Sequence, residues 1–546
     1  MFVHGIGTQP ACETFLDWSG PITSLLRDWR TQHGITPADP VLRCQYDLTG
    51  VTLPFLELDV PAWEGHNAQT LVMTEAWWAA TTRAPGLGSM TTYVSRALPR
   101  IMDGIKEGYR LRAEAWQQRL ADTHTQMAAQ DSYAHRALVL EEVRTPKRDW
   151  VDALDWIQKE LTIFSFGPAL LLGRVILAFY APFRAVPIKQ LQDFAALKTA
   201  DNMLTRWFGE LPDIIDDPIQ AANVRARLAN AIGGLRGQGC GKIIVVAHSG
   251  GVIVSFTTLV DPVYADLHVD KLLTLGEGLA LAWRIEDAYK GAKPPTLLSG
   301  NLRAARPDLH WTDFWSTYDP APAGPLQPPP GVTVADRSHM TINRMSILED
   351  HGSYWNNDEE FLIPLLQHLD TPNGLTTDSR FFQDQMLDTV RLSWRRDRVA
   401  VLALWRWIAA LGAGIPIVVT TATGALSSRL PGPGRLGGDM TGLWSKIPGH
   451  QLVGDPLDAV SKVASFPGIL LNVAQWALGS LTIVLIFMAV ARIGVGRWSA
   501  WDAAERTASR QRVPVRPSRL GPMLKMLGCT ALCAAISVGM FALLWR

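Results

Sequence analysis

The side chain in this sequence that is best placed to do chemistry is Ser249. It follows an apolar, β-branched run from Ile243 to Val246 and directly precedes Gly250 and Gly251. This pattern predicts a buried strand that turns sharply into a helix, because a crowded turn of this kind requires small neighbours. A serine there lies at the head of a sheet beside a helix N-terminus, which suits a nucleophile that builds an oxyanion. The alternative is a glycine-rich turn without such chemistry, as in a phosphate-binding loop.

A serine nucleophile needs a base and a group that orients the base. His351 lies in a glycine-containing segment directly before a predicted helix, which favours it as the base over the alternative, His339. For the orienting acid, Asp319 follows a predicted strand and precedes a proline, so it is expected in the loop at the strand end. Asp313 lies within that strand and is the less favoured acid. The order serine, acid, histidine is the order expected for a strand-turn-helix nucleophile of this type.

Backbone amides are the expected donors to an oxyanion in such a site. One is predicted to come from Gly250, directly after the nucleophile. The other is predicted to come from the loop that follows the first strand, at Ile6 or Gly5. The alternative for this loop, His4-Gly5-Ile6-Gly7, is a tight turn without a catalytic role.

The elements that must position these residues alternate between strands and helices. A strand that ends in a glycine-rich loop is predicted over Phe2–Gly7, and further strands are predicted at Val41–Tyr46, Lys242–Ala247, Leu272–Gly276 and Leu309–Trp315. Helices are predicted at Ala221–Leu235 and Asp358–His368. A short tryptophan-rich element is expected at Ala76–Arg83, and a proline-rich loop at Pro320–Gly331. This alternation predicts an α/β fold with a mostly parallel sheet and helices on both faces.

The chain resembles the α/β-hydrolase superfamily, and more closely the lipase-like bacterial hydrolases that begin with a strand and His-Gly-Ile-Gly-Thr-Gln. The resemblance extends over residues 1–370, with an interruption. Its motifs are Phe2–Gln9, Glu75–Ala79, Val245–Gly251, Leu273–Gly276, Trp311–Pro320 and Asp350–Trp355. It implies an α/β-hydrolase fold and a Ser249–His351–Asp319 triad that hydrolyses or transfers an acyl group.

The interruption divides the predicted hydrolase domain into residues 1–87 and 188–370. Within the insertion, 88–187, residues 88–159 have a polar, helical pattern and 161–183 are almost entirely apolar. A single membrane crossing by 161–183 would separate two strands that should share one sheet. This segment is therefore predicted to lie in the membrane interface, to re-enter or to form a buried cap. A membrane-docked lid near the active site is preferred, with a core helix pair as the alternative.

The composition changes after a basic connector at 371–398. Three apolar stretches, 399–426, 466–491 and 526–545, are each long enough to cross about 30 Å of hydrocarbon. They predict a three-helix transmembrane region over 399–546, and the alternative is three buried helices of a soluble domain. Arginines concentrate before the first stretch and between the second and third. The positive-inside rule therefore places the hydrolase domain on the cytoplasmic side of the cell (inner) membrane, in a multi-pass protein.

Composition restricts the partners. The 546 residues include 51 basic and 51 acidic side chains, which gives no indication of a nucleic-acid partner. Charged residues make up only 19% of the chain, and its mean hydropathy is positive, as expected for a protein with membrane segments. The five cysteines have no ligand spacing, so neither a disulfide framework nor a zinc site is predicted, and no cofactor or metal is expected. No signal peptide is expected either.

These patterns predict a membrane-anchored serine hydrolase that cleaves an ester through an acyl-enzyme. The membrane segments favour a lipid or lipid-like substrate. Acyl transfer or lipid-anchor remodelling, as in inositol deacylases of similar architecture, stays open. A second interpretation is a membrane effector or scaffold in which the hydrolase fold is regulatory or inactive. A nucleotide-binding protein is disfavoured, because no Gly-x-x-x-x-Gly-Lys-Ser/Thr occurs at the turn.

Overall fold

The computed structural model of the protein contains two β-sheets in the part of the chain that it describes. In chain order, the strands are β1 (Phe2–Val3), β2 (Val41–Tyr46), β3 (Thr52–Val60), β4 (Gln69–Met73), β5 (Glu75–Ala76), β6 (Ile244–His248), β7 (Lys271–Leu275), β8 (His310–Ser316) and β9 (Arg337–Thr341). The helices are α1 (Glu13–Gln32), α2 (described over residues 103–118), α3 (Leu211–Ile215), α4 (Pro218–Gly237), α5 (Gly250–Val260), α6 (Leu279–Ala288), α7 (Leu302–Ala305) and α8 (Ile363–Leu369).

The structure describes residues 1–7, 10–32, 39–46, 52–60, 68–79, 100, 103–118, 121, 211–215, 217–288, 297–322, 324–329, 332, 337–343 and 350–369. The apolar segment 161–183, the basic connector and the three predicted membrane spans lie outside these ranges. No helix within them is long and apolar enough to cross a membrane.

The central sheet has six strands in the order β5-β1-β6-β7-β8-β9, and every pair is parallel. β1 and β6 are neighbours, with Val3 opposite Ala247, and the Met1 amino group donates to the Ile244 carbonyl, 243 positions further along the chain. The prediction that the first strand and the strand before Ser249 share one sheet is confirmed. The predicted α/β class with a mostly parallel sheet is confirmed as well.

Helices cover the two faces of this sheet. On one face, side chains of the central strands such as Phe2, Leu273 and Phe314 form a buried apolar cluster with α1 and with residues 358–369. α5 contacts β6 and β1, and α4 packs on α5 and contacts β5. None of the described residues of α4 and α5 belongs to that cluster, so these helices cover the opposite face. Adjacent side chains of a strand point to opposite faces, which lets each strand contribute to both layers.

A second, antiparallel sheet in the order β2-β3-β4 was only partly predicted. The strand at Val41–Tyr46 is present, but it belongs to this small sheet, and the pattern gave no indication of β3 or β4. Pro54 lies within β3 opposite Cys44 and weakens the strand signal, because proline is disfavoured inside sheets. β9 was also missed, since it is short and carries polar residues. Residues 358–369 are helical, as predicted, but begin with a π-helical turn.

Candidate active site

The turn that carries Ser249 is crowded. Ser249 lies between β6 and α5 with φ 56° and ψ −122°, a backbone conformation that a residue with a side chain rarely adopts. A Cβ atom placed on Gly250 would lie 2.4 Å from Ile6 Cγ1, and one on Gly251 would lie 2.4 Å from the carbonyl oxygen of His4. The predicted need for small residues after the serine is therefore confirmed, and its cause is the close approach of the loop after β1.

Ser249, His351 and Asp319 form one chain of hydrogen bonds. The Ser249 hydroxyl donates to Nε2 of His351 over 2.8 Å. Nδ1 of His351 is 2.9 Å and 3.1 Å from the two carboxylate oxygens of Asp319, to which it donates its proton. Ser249 is 9% exposed and Asp319 only 2%. The structure thus brings together three residues that sequence analysis selected from positions up to 102 residues apart.

Burial alone would raise the pKa of Asp319, but its partners hold that pKa below the usual value. The first partner is the His351 imidazole. The others are the Ala321 amide, 2.9 Å from Oδ1, and the Tyr354 hydroxyl, 2.9 Å from Oδ2. An ionised Asp319 keeps the proton of the imidazole on Nδ1, which leaves the lone pair of Nε2 directed at Ser249.

Tyr354 is a partner of the acid that the sequence pattern did not identify. Its ring is fully buried, and its hydroxyl donates to Asp319 while accepting a hydrogen bond of 2.8 Å from the amide of Ser316. Burial and the adjacent Asp319 carboxylate raise the pKa of Tyr354 well above its ordinary value. The phenol therefore stays protonated and acts only as a neutral donor to the acid.

His248 supports the base through the backbone. Its Nε2 lies 2.7 Å from the carbonyl oxygen of His351, and the two imidazole rings are 4.6 Å apart. Burial, followed by the proximity of His351, lowers the pKa of His248 to about 3. The ring is therefore neutral with its proton on Nε2, because a carbonyl oxygen can only accept. The residue stood in the predicted turn, but nothing local in the sequence indicates a contact with a residue 103 positions away.

The loop predicted to donate to an oxyanion lies against the nucleophile. A Cβ on Gly5 would be 2.7 Å from Ser249 Cβ, and a Cβ on Gly250 would be 3.2 Å from the amide nitrogen of Ile6. The Ile6 amide is thus next to Gly250, on the turn that carries the serine. Donation to an oxyanion by Gly250, Ile6 or Gly5 stays a prediction.

Hydrogen bonds between His4 and Trp78 hold the loop after β1 in position. The Trp78 amide donates to His4 Nε2 over 3.1 Å, so the proton of the ring is on Nδ1, which donates to the Gly5 carbonyl over 2.7 Å. The indole N–H of Trp78 donates to the His4 carbonyl, and the two rings are stacked 4.6 Å apart. Trp78, which follows β5, therefore holds the loop after β1 in position, next to the paired strands β1 and β5.

The two alternative candidates lie elsewhere. His339 is in β9, opposite Phe314 of β8, and the centres of the two stacked rings are 5.1 Å apart. Asp313 is fully buried in β8, and its Oδ1 accepts a hydrogen bond of 2.6 Å from the Thr274 hydroxyl. The hydrogen bonds of the His351 ring run to Asp319 and Ser249 instead.

Asp313 and Glu277 form a buried acidic pair beneath the site. Burial raises the pKa of Asp313 to about 7. The hydrogen bond from Thr274 lowers this pKa, and the negative charge of Asp319 raises it. Burial and the neighbouring Asp313 raise the pKa of Glu277 well above its usual range. Glu277 also accepts from the Ala280 amide at the start of α6. The pair therefore retains protons at a pH where exposed carboxyl groups have lost them.

This pair predicts a pH-dependent stability. An unfolded aspartic acid loses its proton near pH 4, whereas folded Asp313 keeps it to about pH 7. Between these values the folded state binds more protons, so the free energy of unfolding falls as pH rises. In Asp313→Asn this contribution disappears, while the amide oxygen still accepts from Thr274. Thermal unfolding of the full chain in detergent at pH 5 and pH 8 measures the difference. Equal pH dependence of wild type, Asp313→Asn and Glu277→Gln would contradict it.

Within the described ranges, no group of three or more His, Cys, Asp or Glu side chains is arranged to hold a metal ion. The arrangement supplies a hydroxyl, an imidazole and a buried carboxylate in one chain of hydrogen bonds. Comparisons of the chain with known protein families, with curated proteins and with solved structures gave no match.

Proposed function

We propose that this protein is a serine hydrolase of the α/β-hydrolase fold that cleaves an ester through an acyl-enzyme. The observation that carries the proposal is the hydrogen-bonded chain from the Ser249 hydroxyl through His351 to Asp319. It begins at a residue with a positive φ on a strand-to-helix turn, which is the arrangement expected of a nucleophile at the head of a parallel sheet.

In the proposed reaction, Ser249 Oγ attacks the ester carbonyl carbon while His351 Nε2 takes the hydroxyl proton. Asp319 stabilises the imidazolium through Nδ1–H. The tetrahedral intermediate then expels the alcohol oxygen, which takes the proton from Nε2, and an ester bond to Ser249 remains. A water molecule then attacks the carbonyl carbon of this ester and gives a proton to His351 Nε2. The second tetrahedral intermediate releases the carboxylic acid, and Ser249 Oγ takes the proton back from Nε2.

The amides of Gly250 and Ile6 are the proposed donors to the oxygen of the tetrahedral intermediate. Their support is the proximity of Ile6 N to Gly250 and the fixed position of the loop after β1. Gly5 contributes by having no side chain, since a methyl group there would contact Ser249. Preorganised amides of this kind typically contribute about 10²–10³-fold each to the rate.

The proposed substrate is an ester, and a lipid ester is the proposed subclass. Its support is the sequence alone: the three apolar stretches at 399–426, 466–491 and 526–545 and the apolar segment at 161–183. We propose that the stretches anchor the enzyme in the cell membrane with the hydrolase domain on the cytoplasmic side, near a lipid substrate.

A fluorophosphonate probe tests the function directly. The probe reacts with an activated serine hydroxyl, so wild-type protein in membranes should be labelled, and peptide mapping should place the adduct on Ser249. Ser249→Ala should be unlabelled and should not hydrolyse p-nitrophenyl esters. Ser255→Ala is the matched control: Ser255 lies on α5, is fully buried and donates to the Gly251 carbonyl, so its removal should leave labelling intact.

Failure of the wild-type protein to label, or an adduct on another residue, would reject the hydrolase proposal. If Ser249→Ala also kept the effect of the wild-type protein on growing cells, a membrane effector or scaffold would be the better interpretation. Comparing p-nitrophenyl esters with phospholipids in the same membranes separates a general esterase from a lipase.

A further inference from the structure

The inserted helix α2 contacts the loop that carries the catalytic acid. Arg112 on this helix is only 6% exposed, and its Nη1 donates to the Thr317 carbonyl over 2.7 Å. Its guanidinium carbon lies 4.5 Å from the ring centres of both Tyr109 and Tyr318, whose rings meet edge to face. Thr317 and Tyr318 directly precede Asp319. A buried cation from the insertion is thus bound to the two residues before the acid.

A second contact lies on the other side of Asp319. Gly324 has φ 122°, and a Cβ atom there would be 2.9 Å from the Gly108 carbonyl oxygen of α2. The α2 backbone therefore lies so close to the loop after Asp319 that position 324 has no room for a side chain. Together the two contacts hold the acid loop against α2 at both ends.

The same segment is bonded to the residue before the base. The Tyr318 amide donates to Asp350 Oδ2 over 3.2 Å, and the Ser316 hydroxyl donates to the same oxygen over 2.6 Å. Asp350 is fully buried and directly precedes His351. A displacement of Tyr318 would therefore alter the position of Asp319 and the support of His351 together.

We propose that Arg112 is a positioning residue through which the insertion sets the geometry between Asp319 and His351. The inference rests on the proposed function, and it makes the insertion a part of the active site. Arginine suits this position because its guanidinium can lie over aromatic rings and donate a hydrogen bond in its own plane at once. Lysine keeps the charge and a donor but cannot stack in this way.

The test compares three variants of the full chain in detergent with p-nitrophenyl butyrate as substrate. Arg112→Ala removes the contact, and Arg112→Lys keeps the charge. Arg110→Ala is the matched control, because Arg110 is on the same helix but is exposed and pairs with Glu107 and Glu114. For each variant, kcat, KM and the pH profile of kcat/KM are measured, with active sites counted by fluorophosphonate labelling.

Arg112→Ala is expected to lower kcat per labelled site by about 10- to 100-fold, because small misplacements of catalytic groups have effects of this size. The acidic midpoint of its kcat/KM profile should move to lower pH, since a weaker contact with Asp319 stabilises the imidazolium less. Arg112→Lys should lie between Arg112→Ala and wild type, with its KM near the wild-type value. Arg110→Ala should match wild type.

Two results would overturn the inference. One is a kcat per labelled site in Arg112→Ala and Arg112→Lys equal to that of Arg110→Ala. The other is a loss that merely follows the number of labelled sites, with no shift of the acidic midpoint, as a purely structural role would give. If Arg112→Ala does not fold, Arg112→Lys decides by the same two measurements. An unlabelled wild-type protein is a different outcome, because it rejects the hydrolase itself.

Discussion

Asn at position 319 is expected to lower kcat on the order of 10⁴-fold while the protein stays folded. The reason is the tautomer of His351. Three donors face the Asp319 carboxylate: the Ala321 amide on Oδ1, the Tyr354 hydroxyl on Oδ2 and His351 Nδ1 on both oxygens. An asparagine offers them one acceptor oxygen only, and its NH₂ group lies beside His351 Nδ1 in either orientation, because both oxygens that it could replace are within 3.1 Å of that nitrogen. An NH₂ group there donates to His351 Nδ1 and moves the ring proton to Nε2. The imidazole can then no longer accept the proton of Ser249.

The measurement is kcat for a p-nitrophenyl ester in Asp319→Asn, normalised to protein that unfolds with a wild-type thermal transition. Asp313→Asn is the matched control, because it also replaces a buried acidic side chain by its amide, but Asp313 lies within β8 and its hydrogen bond is with Thr274. It should keep near-wild-type activity. Retention of more than about one-tenth of kcat in Asp319→Asn would show that residue 319 does not orient the base.

A single methyl group at position 276 is expected to lower kcat/KM by at least about 100-fold. Gly276 directly follows β7 and has φ 53°, and a Cβ atom there would lie 2.6 Å from Asp319 Oδ2 and 3.2 Å from His351 Nδ1. The methyl group of Gly276→Ala would therefore push into the acid–base pair. The left-handed backbone adds a cost of about 1–2 kcal/mol to folding.

Gly239→Ala separates these two effects. Gly239 also has a positive φ, 83°, but no atom lies within 4 Å of a Cβ built on it. It should therefore show a comparable loss of stability with full activity. Ester hydrolysis and thermal unfolding of both variants are the measurements. Equal activity of Gly276→Ala and Gly239→Ala would mean that the acid–base pair tolerates the methyl group and that its geometry is not set from β7.

Local patterns were sufficient where one short segment carries the whole constraint. The β-branched run before Ser249 and the small residues after it specify a buried strand and a tight turn, because the crowding is between near neighbours in sequence and one partner loop. The alternation of strands and helices predicted the parallel sheet, because the connection between two parallel strands usually contains a helix. Chain order, together with loop positions at strand ends, was enough to select Asp319 over Asp313 and His351 over His339.

The remaining features arise from contacts between distant segments. Tyr354 on Asp319, His248 on the His351 carbonyl and Arg112 on Thr317 join residues that are 35, 103 and 205 positions apart. No periodicity in a sequence encodes such pairs. Within the small antiparallel sheet, β3 was missed because Pro54 interrupts its pattern, although pairing with β2 and β4 makes this segment a strand.

By itself, the sequence predicted the three residues that the structure joins by hydrogen bonds and the class of sheet that presents them, since strand, turn and helix preferences act over a few residues. The tertiary structure alone decided which buried groups lie around them: the neutral tyrosine on Asp319, the uncharged histidine on the His351 carbonyl, and the α2 arginine on the Thr317 carbonyl. Burial and proximity set the charge and position of these groups, and both are properties of the packed chain.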